Sequence, residues 1–279
     1  MTSKTSSIRN QQKHFDRGLA LYSDEVALFP ALTEVLQNLD SIAKSDTLKI
    51  YKRERRKAVL LMHRPSMEGG SLVIKGFPLK KLSNQIRPGR FGQMEAHNML
   101  EAERLKIKSP RYLGFFELRR FGLTKANGVI MEPLESHKTL MEFAEENPAN
   151  ARKAFTLAIP TIAQLYQLGA NHIDVSPHNI MAENLSDTPY LIDWQACRFI
   201  SPRNNHQLIL QAAQFLRYLN GIYSAASLEE WLSTLFQTVN PDLPKETFIE
   251  NALHYAQEPR PSNEFRYRLD FDLNQPQKN

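Results

Sequence analysis

Strand-like and helix-like sequence are segregated along this chain, and that segregation constrains the fold more than any other feature. Runs rich in β-branched and apolar residues fall at Thr47–Tyr51, Ala58–Met62, Ser71–Ile74, Tyr112–Phe116 and Gly128–Met131. From Leu140 onward apolar residues recur at helical spacing instead. Strands followed by helices predict an α+β architecture. The first three runs, separated by Lys52–Lys57 and Pro65–Gly70, read as an antiparallel meander. Residues 91–107 carry Phe91, Met94, Met99, Leu100 and Leu105 on a helical period. Five strands and one helix therefore make a compact lobe over 46–134.

A mainly helical lobe is expected over 135–258, with helices at Leu140–Glu146, Ala151–Leu168, 206–220, 227–238 and 245–257. Pro160 should kink or break the second of these. Residues 1–17 read as a polar arm. Residues 18–45 read as an N-terminal helical extension (Val26, Phe29, Leu32, Val35, Leu36, Leu39, Ile42), and 259–279 as a loosely ordered tail. No internal repeat is visible.

Composition narrows the function classes. Cys197 is the single cysteine, which rules out an internal disulfide, fits a reducing compartment and reads as a small buried apolar residue. Met1–Arg17 lacks the apolar stretch of a signal peptide, and no segment approaches the ~20 apolar residues of a membrane span. A cytoplasmic protein is expected, with room for peripheral contact at the inner face of the cell membrane. Net charge is +5, but residues 46–130 hold 19 Lys and Arg against 7 Asp and Glu. That basic half suits an anionic partner or a solvated basic face. One cysteine and eight scattered histidines give no zinc-ligand spacing. No nucleic-acid-binding module accompanies the basic half, so no nucleic-acid partner is expected. The sequence is silent on oligomeric state.

The chemistry is concentrated in His172-Ile-Asp-Val-Ser-Pro-His-Asn-Ile-Met181 and Tyr190-Leu-Ile-Asp-Trp194. Asp174 and Asn179 share one loop, and Asp193 follows a strand-like Leu191-Ile192. Taken singly, Asp174 and Asn179 are turn residues beside Pro177. Together the three supply what phosphoryl transfer to a hydroxyl needs: a carboxylate to accept the proton, and hard oxygen donors for Mg²⁺ against the ATP phosphates.

This segment resembles the catalytic loop and metal-binding Asp of the protein-kinase-like superfamily. It is most similar to the atypical branch, the lipopolysaccharide core (Kdo/heptose) kinases and the aminoglycoside and choline phosphotransferases. The resemblance implies a two-lobed fold that uses ATP and Mg²⁺. Asp174 would be the catalytic base, Asn179 and Asp193 metal ligands, and His172 a brace for the loop. Lys75, ending the third predicted strand, would meet the α/β-phosphates. A helix glutamate should pair with it; Glu95, Glu101 and Glu103 compete. The resemblance to the phosphotransferase and lipopolysaccharide kinases, whose helix-to-proline spacing is like that from Glu95 to Pro110, favours Glu95, whereas Glu101 would suit the shorter spacing of ordinary protein kinases. Gly128-Val-Ile-Met-Glu-Pro-Leu134 resembles the strand and hinge that hold adenine, which assigns Glu132 and Leu134 to cofactor binding. No glycine-rich loop joins the first two strands, where Lys52-Arg-Glu-Arg-Arg-Lys57 stands instead, and no Ala-Pro-Glu motif follows Asp193. Both departures point away from a regulatory protein kinase. The expected acceptor is a sugar of the lipopolysaccharide inner core. A choline- or aminoglycoside-type kinase and a non-catalytic kinase-like binding module are the alternatives.

Overall fold

The computed structural model describes residues 11–16, 18–24, 32–33, 35–36, 48–53, 57–63, 70–86, 91–200 and 202–268. The chain divides into two units, Met1–Arg104 with Pro110–Glu135, and Leu105–Ser109 with Ser136–Asn279.

The first unit is built on strands β1 (Lys13–Asp16), β2 (Leu19–Tyr22), β3 (Leu48–Arg53), β4 (Ala58–Met62), β5 (Leu72–Pro78), β6 (Tyr112–Arg120) and β7 (Leu123–Met131). They form one antiparallel sheet in the order β1-β2-β6-β7-β5-β4-β3. Helices α1 (Leu82–Ile86) and α2 (Phe91–Arg104) accompany it. Leu19, Leu21, Leu60, Ile74, Phe116 and Ile130 are among the side chains that fill its core.

The sheet has seven strands where the sequence predicts five. The additional pair, β1 and β2, falls on the predicted arm and helical extension. Their hairpin turns at Gly18, whose φ of 84° suits glycine and whose carbonyl accepts the Arg119 N–H at 2.7 Å. Leu19, Ala20 and Leu21 are all buried because β2 lies between β1 and β6. A buried four-residue strand shows no alternation to read. Of the predicted extension, Leu32, Thr33, Val35 and Leu36 are helical, with Leu32 and Leu36 in the same core. Its residues 25–31, 34 and 37–45 lie outside the described residues, as do 54–56 and 64–69 in the two expected turns and 1–10 and 17 in the arm. The last two strands are longer than expected and join through Phe121 and Gly122, at φ 50° and 74°. Two consecutive positive φ values make the tight hairpin turn that matches sheet twist.

Helix α2 lies very close to the sheet because Gly92 permits it, and Gly128 leaves room within the sheet itself. A Cβ on Gly92 would stand 2.7 Å from the Gly128 nitrogen, and one on Gly128 would stand 2.2 Å from the Lys75 carbonyl oxygen and 2.6 Å from the Phe116 ring. The Gly92 N–H also donates to Asn127 Oδ1 at 3.3 Å. Gly128→Ala should therefore destabilise the protein by about 1–3 kcal/mol through overpacking. Urea unfolding would show this as a lowered midpoint at unchanged slope.

The second unit contains β8 (Lys138–Thr139), β9 (Ala170–His172), β10 (Ile180–Ala182), β11 (Tyr190–Leu191) and β12 (Cys197–Phe199). Its helices are α3 (Leu140–Glu146), α4 (Ala151–Thr156), α5 (Ala158–Leu168), α6 (Asn205–Leu216), α7 (Ala225–Val239), α8 (Lys245–Gln257) and α9 (Asn263–Arg266). The predicted helix Ala151–Leu168 is broken at Leu157, three residues before Pro160. Pro160 has no N–H for the Thr156 carbonyl and its ring crowds it, so the first helix stops there. The expected loose tail is ordered through Arg268: Ser262 caps α9 by accepting the Phe265 N–H at 3.2 Å. Residues 269–279 lie outside the described residues.

Candidate active site

In the first unit, Lys75 occupies the middle of β5, opposite Val59 of β4 and Val129 of β7. It is 4% exposed and forms an ion pair with Glu95 of α2, which is 1% exposed. Glu95 sits one turn beyond Gly92, so the close approach of helix and sheet brings the pair together. Glu101 lies further along α2 and accepts from Arg104 Nε at 2.8 Å, a bond that holds its carboxyl below the usual range. After β7 the chain loses regular structure at Glu132–Leu134. Glu132 commits its N–H to the Arg111 carbonyl at 3.0 Å and its exposed side chain to Arg111 at 3.5 Å; Leu134 is half-buried.

In the second unit, α5 ends at Gly169, left-handed at φ 69°, which turns the chain into β9. The buried Gln211 of α6 donates to the Ala170 carbonyl at 2.9 Å, and Asn171 donates to the Arg266 carbonyl at 3.1 Å. The loop carrying Asp174 and Asn179 follows. Asn179 Nδ2 donates to the Asp174 carbonyl at 2.8 Å, and the Pro177 carbonyl accepts the Met141 N–H of α3 at 3.3 Å. The Ile192 N–H donates to the Asn179 carbonyl at 2.9 Å, which sets Asp193 beside this loop.

His172 is fully buried and shares 3.2 Å with the Ile192 carbonyl, edge-on to Trp194. Burial pushes its imidazole below the ordinary value, against the raising influence of Asp193 and Asp174. The neutral ring donates from Nε2 and ties the two loops together. The unfolded chain takes up a proton below about pH 6.5 that the native ring refuses, so stability should fall as pH drops through that value. His172→Gln should flatten that part of a pH–stability curve measured by urea unfolding. Cys197 is buried opposite His172, and burial pushes its thiol well up, so it is unreactive.

Asp193 adopts the left-handed conformation, φ 66° and ψ 51°. Asp tolerates this better than most residues, and such strain persists where its surroundings over-determine it. Here the Trp194 indole donates to the Leu191 carbonyl at 3.0 Å and stacks on Phe199, fixing the segment on both sides of Asp193. With the Asn179 NH₂ committed to the Asp174 backbone, its side-chain oxygen is the atom left for a ligand. An amide oxygen and a carboxylate form a hard-oxygen set that suits Mg²⁺. Among the described residues no cluster of three or more His, Cys, Asp or Glu could hold a metal ion.

The structure adds residues that sequence reasoning missed. Arg260 and Arg266 both ion-pair with Asp174 Oδ1, the latter at 3.9 Å. They lie 86 and 92 positions along the chain, within or beside the stretch that reads as a loose tail, and no motif marks them.

The fold is shared widely: 719 chains of known structure match it. One described as "WaaP in complex with acyl carrier protein" aligns with a TM-score of 0.56 at 12% identity, covering 89% of this chain and 99% of that one. That likeness defines a kinase-like fold; so common a fold does not by itself choose a substrate. A search of curated proteins finds no match. The sequence profile of the "Lipopolysaccharide kinase (Kdo/WaaP) family" matches residues 34–231, and the chain belongs to that family. It is therefore a phosphotransferase that uses ATP to phosphorylate a sugar of the lipopolysaccharide core. Family membership favours the lipopolysaccharide acceptor over the choline or aminoglycoside type.

Proposed function

We propose that Asp174 is the base that orients and deprotonates an inner-core sugar hydroxyl, and that Asn179 and Asp193 hold Mg²⁺. Lys75 would take the α/β-phosphates, with Glu95 keeping its ammonium in place. Because the Glu132 N–H is already committed, adenine would meet the Glu132 carbonyl and the Leu134 N–H. The bound Mg²⁺ would neutralise charge developing on the transferred phosphoryl group. The observation that carries this reading is the tie between the two loops, in which Asn179 bonds backward to Asp174 and forward to Ile192.

A glycolipid acceptor also implies work at a membrane surface. No helix among the described residues is long and apolar enough to cross a membrane. On the first unit, Leu82, Ile86 and Phe91 are 59%, 63% and 53% exposed, and a cavity of about 510 Å³ is lined by Lys80, Lys81 and Phe91. Exposed apolar side chains beside lysines suit an anionic lipid face.

The nucleotide site is tested by thermal shift. Saturating ATP with Mg²⁺ at ~100 times Kd should stabilise the native state by about 2.7 kcal/mol, roughly 5–10 °C in a chain this long. Asp193→Ala should lose the Mg²⁺-dependent part of that shift. A wild-type protein indifferent to ATP and Mg²⁺ would refute the assignment.

A further inference from the structure

Two guanidinium groups, Arg260 and Arg266, meet the carboxylate assigned as the base, and a third, Arg217, lies close enough to both to be felt electrostatically. Arg217, at the end of α6, donates to the carbonyls of Tyr255 and of Glu258, the latter at 2.6 Å. Arg266 is nearly buried and donates to the Ile173 carbonyl at 2.6 Å and to Asn263 Oδ1. Its buried Nε has no hydrogen-bond partner. Both are thus anchored mainly by neutral groups. Burial and the nearby Arg260 charge press both guanidiniums below their ordinary range.

Arg260 differs. Its side chain is 46% exposed and pairs with Asp174. A guanidinium on Oδ1 occupies one of the two oxygens through which the base would take the acceptor proton. An ion pair this exposed contributes little to stability, so a better anion can draw Arg260 away at small cost. Two anchored cations behind it keep the local potential positive, and an arginine fork matches a carboxylate or a phosphate with two parallel bonds.

We propose that Arg260, backed by Arg266 and Arg217, forms an anion subsite that binds an acidic substituent of the acceptor sugar, carboxylate or phosphate. In doing so it releases Asp174 to act as base. The proposal rests on the reading of Asp174 given above. It makes Arg260 a specificity residue: the acid is recognised and the base is freed by one side-chain movement. No bond is made or broken in the exchange; Arg260 trades one oxyanion for another.

The test uses soluble inner-core oligosaccharide in three forms: native, with carboxylates reduced to alcohols, and dephosphorylated. Calorimetric binding to the full-length wild type, Arg260→Gln and Arg260→Lys is measured with each. Wild type should bind the native form at least about tenfold more tightly than one of the two neutralised forms, and that form identifies the acidic group. Arg260→Gln should lose the difference and Arg260→Lys should keep part of it. If wild type binds all three alike or not at all, the subsite is wrong. If Arg260→Gln weakens all three equally, Arg260 only positions Asp174 and the subsite is again wrong. ATP-dependent phosphorylation of each form is followed in parallel. Equal turnover of all three by wild type leaves the kinase standing without the subsite. Selective binding without any turnover leaves the subsite standing and removes the proposed chemistry.

Discussion

Asp174→Asn is expected to lower kcat for sugar phosphorylation about 10²–10⁴-fold, the usual contribution of a positioned general base. The amide keeps the shape of the side chain and can still meet Arg260 through its oxygen, so the loop should stay in place. Its backbone carbonyl, which accepts from Asn179 at 2.8 Å, is untouched by the change. ATP-induced thermal stabilisation should therefore survive in the variant. The split matters: a variant that binds ATP as wild type and transfers phosphate slowly isolates the proton-accepting role. Asp174→Asn turning over within about threefold of wild type would remove Asp174 from that role.

Lys75→Met should cost about 3–5 kcal/mol of stability, in addition to its effect on activity. The reason is burial. Lys75 and Glu95 are 4% and 1% exposed, and removing the ammonium leaves a carboxylate in the interior deprived of its ion-pair partner. Lys75→Met combined with Glu95→Met should recover most of the loss, because two apolar groups of similar length suit the site better than one stranded charge. Activity should not recover with it. Urea unfolding of the two singles and the double closes the cycle. If the double variant were as unstable as the sum of the singles, the buried pair would not be the coupled unit described here.

The segment proposed as catalytic was legible because its chemistry is local. Asp174, Asn179 and Asp193 lie within 20 residues of one another, and their residue types carry the argument before any fold is known. The α+β segregation was legible because strand and helix periods do not mix along the chain. The hairpin β1–β2 was not. Its strands are four residues long, one is buried throughout, and its partner β6 begins 90 residues later, so nothing nearby reveals it. The break at Leu157 was legible in cause but not in place, since Pro160 acts on the carbonyl four residues before it rather than on its own position. Arg260 and Arg266 were invisible for a different reason. A proline-bearing polar stretch reads as loose, and only tertiary contact with Ile173 and Asp174 shows what orders it. The role of Gly92 likewise exists only where helix meets sheet, and that of Gly128 only where strands and the Phe116 ring close around it.

The central claim is that this chain moves the ATP γ-phosphoryl group onto a lipopolysaccharide core sugar through Asp174. Mass spectrometry of core oligosaccharide incubated with the purified protein, ATP and Mg²⁺ tests it most directly. The expected product is one phosphate heavier on an inner-core sugar, absent with Asp174→Asn and with Asp193→Ala. Unchanged oligosaccharide with the wild type, or equal phosphorylation by Asp174→Asn, would contradict it.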